Sequence, residues 1–384
     1  MANANPAAKP APAKPGGGRL RFIDMARTIA ILLMLEGHFV DLVLNDDARR
    51  PGFLPYDTWQ YIRGLTAPIF FTVTGLVFAY LLCRHDGEPG FFRLTRVRKG
   101  TIRALELLFW GYAIQLDLRH LPDYLTGNFG SWPFAFHVLQ CIGIGLFAMI
   151  ALYGLRRWTR FGPSWAWFLA AGACVYLAGL LFAALPPVPG FPAGAPDWLR
   201  NPFKGPRSVF PIAPWLAFTL YGAAAGAVLS RYESHVRGAR FPLIFITTGL
   251  VLLVFGWHID VGLASAMQRL LGPEAVQPAT WFHLRAGSAI LFVGVLMAWE
   301  NSFGIRESRI LVIGRNTFPI YVIHVIVLYN GLFGYGLKHW LHDTLTFGQA
   351  LCGALIFMAA FALLAQCIAP LTARWAAFRN QKSR

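Results

Sequence analysis

The sequence is short of charge. Only 14% of its 384 residues are Asp, Glu, Lys or Arg, against roughly a quarter in soluble globular domains. With 56% hydrophobic residues and a mean hydropathy of +0.50, this excludes a string of soluble domains and, for the bulk of the chain, disorder. Acidic residues are the scarcer kind: 18 Asp+Glu stand against 34 Lys+Arg, a formal net charge of +16. The basic excess lies in short loops between apolar blocks, where topology and anionic membrane lipids account for it, so no nucleic-acid partner is expected. Cysteine is sparse. Cys83, Cys141, Cys174, Cys352 and Cys367 are scattered and odd in number, without disulfide or zinc spacing, and read as small buried core residues. No Walker A, GxGxxG, HExxH or GxSxG pattern occurs. Nucleotide, hydride and zinc chemistry of the soluble kind has no support, and no metal is expected. The first residues lack the apolar stretch of a signal peptide, and no internal repeat is visible.

What is present is apolar sequence in blocks about 20 residues long, the length of a membrane-spanning helix. The expected fold is all-α: a polytopic integral membrane helix bundle of about ten transmembrane helices. The segments run near residues 23–44, 66–82, 104–118, 134–155, 165–185, 209–229, 241–257, 284–299, 310–329 and 347–368. The third is short and holds Glu106 and Gln115. Residues 1–20, rich in Ala, Pro, Gly and Lys, read as a disordered cytoplasmic tail. Residues 21–372 form the membrane domain, and 373–384 a basic cytoplasmic tail. With the N-terminus inside, Lys and Arg favour one alternate set of loops, and both termini are expected in the cytoplasm.

Ionisable side chains at bilayer depth cost at least about 2.5–3.5 kcal/mol each, which makes them functional candidates. The first segment carries Asp24, Arg27, Glu36, His38 and Asp41. Arg27 and His38 share a helical face about 16 Å apart along the axis. Asp24 is spaced to pair with Arg27, and Asp41 to orient His38. A carboxylate on one ring nitrogen raises the basicity of the other, the arrangement a general base needs. Glu36 points to another side. An Arg that snorkels from the helix end and a His bonded to a neighbouring helix are the structural alternatives. Further candidates are His137 and Gln140, Arg285, and Arg315, Tyr321 and His324; His38 and His324 fall at similar depth. The basic stretch with Arg93, Arg96, Arg98, Lys99 and Arg103 suits phosphates such as those of coenzyme A, or else serves as a topology signal that meets lipid headgroups.

Asp24-x-x-Arg27, ten residues and then His38 resembles the first-helix signature of the membrane acyltransferase-3 family. Residues 67–82 are similar to its second-helix FF-x-x-SG segment, with Thr74 where Ser is usual. Arg93-Leu-Thr-Arg96 resembles its RxxR, and 313–327 its late G-R-x-S-x-x-IY-x-x-H helix. A closer resemblance is to the bacterial branch of the heparan-alpha-glucosaminide N-acetyltransferase catalytic-domain family. HFVDL (38–42), FHVLQCIGIGL (136–146) and SVFPIAPWLAFTLYGAAAG (208–226) each resemble a block of it, in order. The chain departs at Thr28, usually Gly, and at Gln140, often His.

The resemblance implies an acyltransferase of the bacterial inner membrane. It would move an acetyl or longer acyl group from cytoplasmic acyl-CoA to a sugar, glycan or lipid acceptor. His38 would be the base, Asp41 its orienting partner, and Arg27 the cation for the thioester oxygen. Arg93, Arg96, Arg98, Arg103 and Arg315 would hold the cofactor. Asp24, Glu36, His137, Gln140, Trp215, Arg285, Tyr321 and His324 would line the acceptor side. Direct transfer is the default expectation, and an acyl-histidine intermediate stays open. A homo-oligomer is possible. The competing class is a proton-coupled secondary transporter using the same intramembrane residues; a non-catalytic scaffold would leave their cost unexplained.

Overall fold

The computed structural model describes residues 19–84, 86, 90–130, 132–186, 190–329, 332 and 334–381. The stretch 1–18, read as a tail, and residues 382–384 lie outside the described residues. Eleven main helices follow one another: α1 (Arg21–Val43), α2 (Leu54–Cys83), α3 (Thr95–Ala113), α4 (Val138–Thr159), α5 (Ser164–Ala184), α6 (Ile212–Arg231), α7 (Arg240–Leu271), α8 (Phe282–Phe303), α9 (Arg309–Arg315), α10 (Thr317–Leu328) and α11 (Phe347–Gln381). Among the described residues, extended pairing is limited to isolated bridges.

Each apolar segment read from the sequence became helix. Seven helices are long and apolar enough to cross a membrane, and the bent pair α9–α10 makes an eighth. α1 and α3 fall outside that group because of their charged side chains, Asp24, Arg27, Glu36 and Asp41 in one and Arg96 to Glu106 in the other. The segment expected at 310–329 is present as two helices that meet at 79°. The cause is Pro319: in a continuous helix its ring would clash with the Arg315 carbonyl, whereas in the first turn of a new helix it is tolerated. Asn316 sits at the corner outside helical geometry and donates back to the Val312 carbonyl at 2.8 Å. α11 continues to Gln381, through most of the stretch read as a C-terminal tail. Of the cysteines, only Cys83 and Cys141 are buried; Cys174, Cys352 and Cys367 are exposed, on outward helix faces where a thiol is a small apolar group.

The helices alternate between two ends. At the near end, where α1 begins, Glu300 accepts from the Arg21 and Phe22 amides at 3.1 and 2.6 Å, capping α1. Asp24 meets Arg315 there, Glu233 meets Arg84, and Asp86 meets Arg156. At the far end, connecting loops are tied by the bridges Leu44–Leu345, Asp117–Leu332 and Phe136–Ser208.

Close helix approach rests on small residues, as expected where lipid gives helices no hydrophobic drive to pack. A Cβ on Gly75 of α2 would collide with the Thr219 carbonyl of α6. Cβ atoms on Gly222 and Gly226 of α6 would collide with the Thr72 and Leu76 carbonyls of α2. This seam fixes α2, and with it one wall of the cavity described next.

Candidate active site

A cavity of about 850 Å³ lies at the far end. α1 contributes Leu33, Met34, Gly37 and His38. α2 contributes Gln60, Arg63, Gly64, Thr66 and Phe70. Gly111 comes from α3, Gln115, Asp117, Arg119 and His137 from the loop after it, and Gln140 from the start of α4. Trp215 of α6, Arg285 of α8, Tyr321 of α10, Tyr329 and Lys338 complete the wall.

His38 is half-buried and its Nδ1 lies 3.0 Å from Nε2 of His324, which is fully buried behind it. Tyr321, one turn before His324 on α10, stands edge-on to that ring with centroids 4.9 Å apart. Its hydroxyl, facing the cavity, makes no hydrogen bond among the described residues. The Tyr329 ring stands edge-on to His38 at 5.9 Å. The two histidines that the sequence put at one depth are therefore in contact, one on the cavity wall and one behind it.

Two carboxylate pairings expected from spacing are corrected. Asp41 does not contact His38. Its carboxylate meets Arg63 at 2.7 Å and Arg49 at 3.7 Å, because it lies at the far end of α1, where those cations converge. Asp24 does not bond Arg27. It takes Arg19 at 2.7 Å and Arg315 at 3.2 Å, and Arg315 also forks onto Glu307. That fork holds the exposed Glu307 carboxyl below the usual carboxylate range. Arg27 instead donates to Thr317 Oγ1 at 3.0 Å and does not line the cavity. Thr28, the departure from the usual Gly, accepts from the Gly314 amide at 3.0 Å and donates to the Asp24 carbonyl at 2.9 Å. It pins α9 to α1.

Glu36 also stands apart. It accepts from Trp59 Nε1 at 2.7 Å and borders a separate, largely apolar groove between α1, α2 and α11. Arg93, Arg96, Arg98 and Arg103 belong to the near end and none lines the cavity. Arg93, Arg96 and Arg98 have no ion-pair partner among the described residues. Arg103 pairs with Glu106 and lies over the Phe318 ring at 3.9 Å.

Around the cavity, Gln140 is fully buried and closes a capping box with His137 at the start of α4, accepting from the His137 amide at 3.2 Å. It orients His137 rather than titrating. Thr66 Oγ1 and Gln115 Oε1 are buried on the wall without a partner among the described residues. Arg285 lies over Trp281 at 4.8 Å and has no carboxylate partner among the described residues. Gly64 makes room for it, since a Cβ there would lie 2.9 Å from its Nη2. At the mouth, Arg119 forks onto Asp117 at 2.6 and 3.0 Å, and this holds the Asp117 carboxyl below the usual carboxylate range.

Sequence reasoning missed Arg63, Gly64, Tyr329, Arg119 and Lys338. Arg63 and Gly64 lie just before the hydropathic start of the second segment, in helix that the apolar run does not reveal. It also missed a network outside the cavity. Fully buried Asp260 on α7 accepts from Tyr176 Oη and faces His283 Nδ1, both at 2.6 Å, and accepts from the His283 amide at 3.2 Å. Asp260 thereby caps α8 two residues before Arg285. No group of three or more His, Cys, Asp or Glu side chains among the described residues is arranged to hold a metal ion.

Among known proteins, none of the curated ones compared with the chain matches it. A family described as heparan-alpha-glucosaminide N-acetyltransferase, catalytic, matches residues 19–258. The matched stretch runs from the start of α1 into α7. It takes in His38, Arg63, His137 and Trp215 and stops before Arg285, Tyr321 and His324. The chain thus belongs to the heparan-alpha-glucosaminide N-acetyltransferase catalytic family, a family of membrane acetyltransferases.

Proposed function

We propose that the protein moves an acetyl group from cytoplasmic acetyl-CoA to an amine or hydroxyl of a sugar, glycan or lipid acceptor, with His38 as general base. The observation that carries this reading is His38 on the cavity wall with His324 at 3.0 Å behind it. The other nitrogen of that ring, His324 Nδ1, is buried without a hydrogen-bond partner among the described residues. A proton kept on His324 Nδ1 leaves its Nε2 to accept from His38 Nδ1–H. His38 Nε2 is then free to take the acceptor's proton.

The near end, where Arg93, Arg96 and Arg98 have no ion-pair partner among the described residues, is the cytoplasmic side in this reading, by the excess of basic residues. α1 begins and α11 ends on that side. These three guanidinium groups suit the phosphates of the donor. From Arg96 to Gly111 on the cavity wall, α3 rises about 22 Å, a reach that calls for the extended pantetheine arm. Arg103 lies between those two positions on α3. Arg315, already bound by Asp24 and Glu307, is a structural anchor rather than a phosphate ligand. On the acceptor side, the flat face of Trp215 and the orphaned Thr66 and Gln115 oxygens suit a ring bearing hydroxyls, and Arg285, His137 and Tyr321 complete the contacts.

The test is a thermal-stability shift of the purified protein with acetyl-CoA, longer acyl-CoAs, CoA, and ATP as an anion control. Wild type is compared with Arg93→Ala/Arg96→Ala. Selective stabilisation by an acyl-CoA, lost in the double variant and followed by His38-dependent acetyl transfer to an α-glucosaminide, is the expected result. No stabilisation by any CoA species, together with proton-linked uptake in vesicles, would overturn it in favour of a transporter.

A further inference from the structure

Acyl transfer builds negative charge on the thioester oxygen, and a cation or N–H donor must meet it. Arg27, the cation that sequence spacing offers, is bonded to Thr317 and absent from the cavity wall. Arg63 has the attributes Arg27 lacks. It lines the cavity from α2, and it lies across the backbone of α1 at Gly37, the residue before His38. A Cβ on Gly37 would sit 3.4 Å from Arg63 Cγ. Arg63 and His38 both line the cavity. Asp41 grips it from one side at 2.7 Å, and the Trp59 ring lies 5.4 Å from its guanidinium carbon. Its other N–H groups have no partner among the described residues.

The remaining cations of the cavity are less suited. Arg119 is forked onto Asp117. Arg285 lies over Trp281 and against Gly64 of α2, rather than against α1. A guanidinium inside a membrane domain is costly to leave unused. One held by a single carboxylate beside the base is poised rather than neutralised in full.

We propose that Arg63 is the catalytic cation that meets the acyl oxyanion, and that Asp41 is its positioning residue. This rests on the acetyltransferase reading above. The acceptor nitrogen or oxygen forms a bond to the thioester carbon while its proton passes to His38 Nε2. The carbonyl electron pair moves to oxygen, against Arg63. It then returns, the carbon–sulfur bond breaks, and the thiolate leaves with the proton from His38 as free CoA thiol. No oxidant or further reactant is needed.

The experiment measures thiol release from acetyl-CoA in detergent, with methyl α-glucosaminide as acceptor. Variants are Arg63→Gln, Arg63→Lys, Arg63→Ala with and without added guanidinium, Asp41→Asn, Arg285→Gln and His38→Ala. The thermal shift with acetyl-CoA is read on each. Arg63→Gln is expected to lose about 10²–10³ in kcat, the cost of one oxyanion donor, with the acetyl-CoA shift retained. Lysine should restore part of the loss, since it keeps the charge without the fork, and guanidinium should rescue Arg63→Ala. Asp41→Asn should lose less, and Arg285→Gln should raise acceptor KM more than it lowers kcat. If Arg63→Gln does not fold, Arg63→Lys and Gly37→Ala carry the test through the same split between kcat and KM. Wild-type kcat within a few fold in Arg63→Gln, beside an inactive His38→Ala, overturns the role of Arg63 and leaves the acetyltransferase reading standing. A wild type that binds acetyl-CoA and releases no thiol with or without acceptor overturns both.

Discussion

His38 on α1 and His324 on α10 are 286 residues apart in sequence and 3.0 Å apart at their ring nitrogens. A lone histidine among apolar helices is most simply a packing residue that bonds to a neighbour. A histidine whose second ring nitrogen is held by another, with its open edge on a cavity, is oriented for proton transfer. His38→Ala is expected to lower kcat by about 10²–10⁴-fold, the usual worth of a general base, without changing the acetyl-CoA thermal shift. His324→Gln, which can still accept from His38, should cost less, and His324→Phe more. Equal turnover in wild type and His38→Ala would remove His38 from the chemistry.

How much of this was legible beforehand differs by element. Apolar runs located each helix, because a span must satisfy its own backbone in lipid and so declares itself by length. They trimmed α2, whose first turns carry the polar Asp57, Gln60 and Arg63, so the cation that lies against Gly37 was read as loop. Depth matching brought His38 and His324 together, since rise per residue is the same in every helix. Helical spacing failed for Asp24 and Asp41. An i,i+3 neighbour competes with every cation that tertiary packing brings up, and here Arg315 and Arg63 win. The Asp260–His283–Tyr176 network was invisible because it joins three separate segments.

That network predicts a stability effect distant from the cavity. Asp260 is fully buried and satisfied by Tyr176, the His283 ring and the His283 amide. Asp260→Ala strips all three partners and uncaps α8. We expect a loss of about 3 kcal/mol, the scale for breaking a buried polar pair from one side, with Asp260→Asn milder. Thermal denaturation in detergent reads it. Because Arg285 follows two residues after His283, Asp260→Asn should also raise acceptor KM while leaving the acetyl-CoA shift intact. A variant as stable as wild type would show that the network is dispensable.

The seam between α2 and α6 predicts intolerance of size. Cβ atoms on Gly75, Gly222 or Gly226 would collide with main-chain carbonyls of the facing helix, and backbone cannot step aside as a flexible side chain can. Gly226→Val should cost more than the 1–3 kcal/mol (about) typical of overpacking and abolish a sharp melting transition. Gly348→Ala, where a Cβ meets nothing within 4 Å, is the matched control and should melt with wild type. Similar melting of both variants would mean the helices do not pack this closely.

The pH profile separates the base from the loop charges around it. Arg119 holds the Asp117 carboxyl below the usual carboxylate range by its hydrogen-bonded fork. A depressed folded pKa means that the contribution of this latch is present above the unfolded value and is lost only as pH falls through the folded one. Asp117 therefore stays ionised down through the usual carboxylate range. A base works in its neutral form, so kcat/KM should fall as pH falls through the titration of His38. Asp117→Asn is expected to weaken acceptor binding at the mouth and leave the midpoint of that acid limb where it was. His324→Gln, which changes the partner of His38, is expected to move it. A midpoint that follows Asp117→Asn and ignores His324→Gln would assign the limb to the loop and leave His38 without its role.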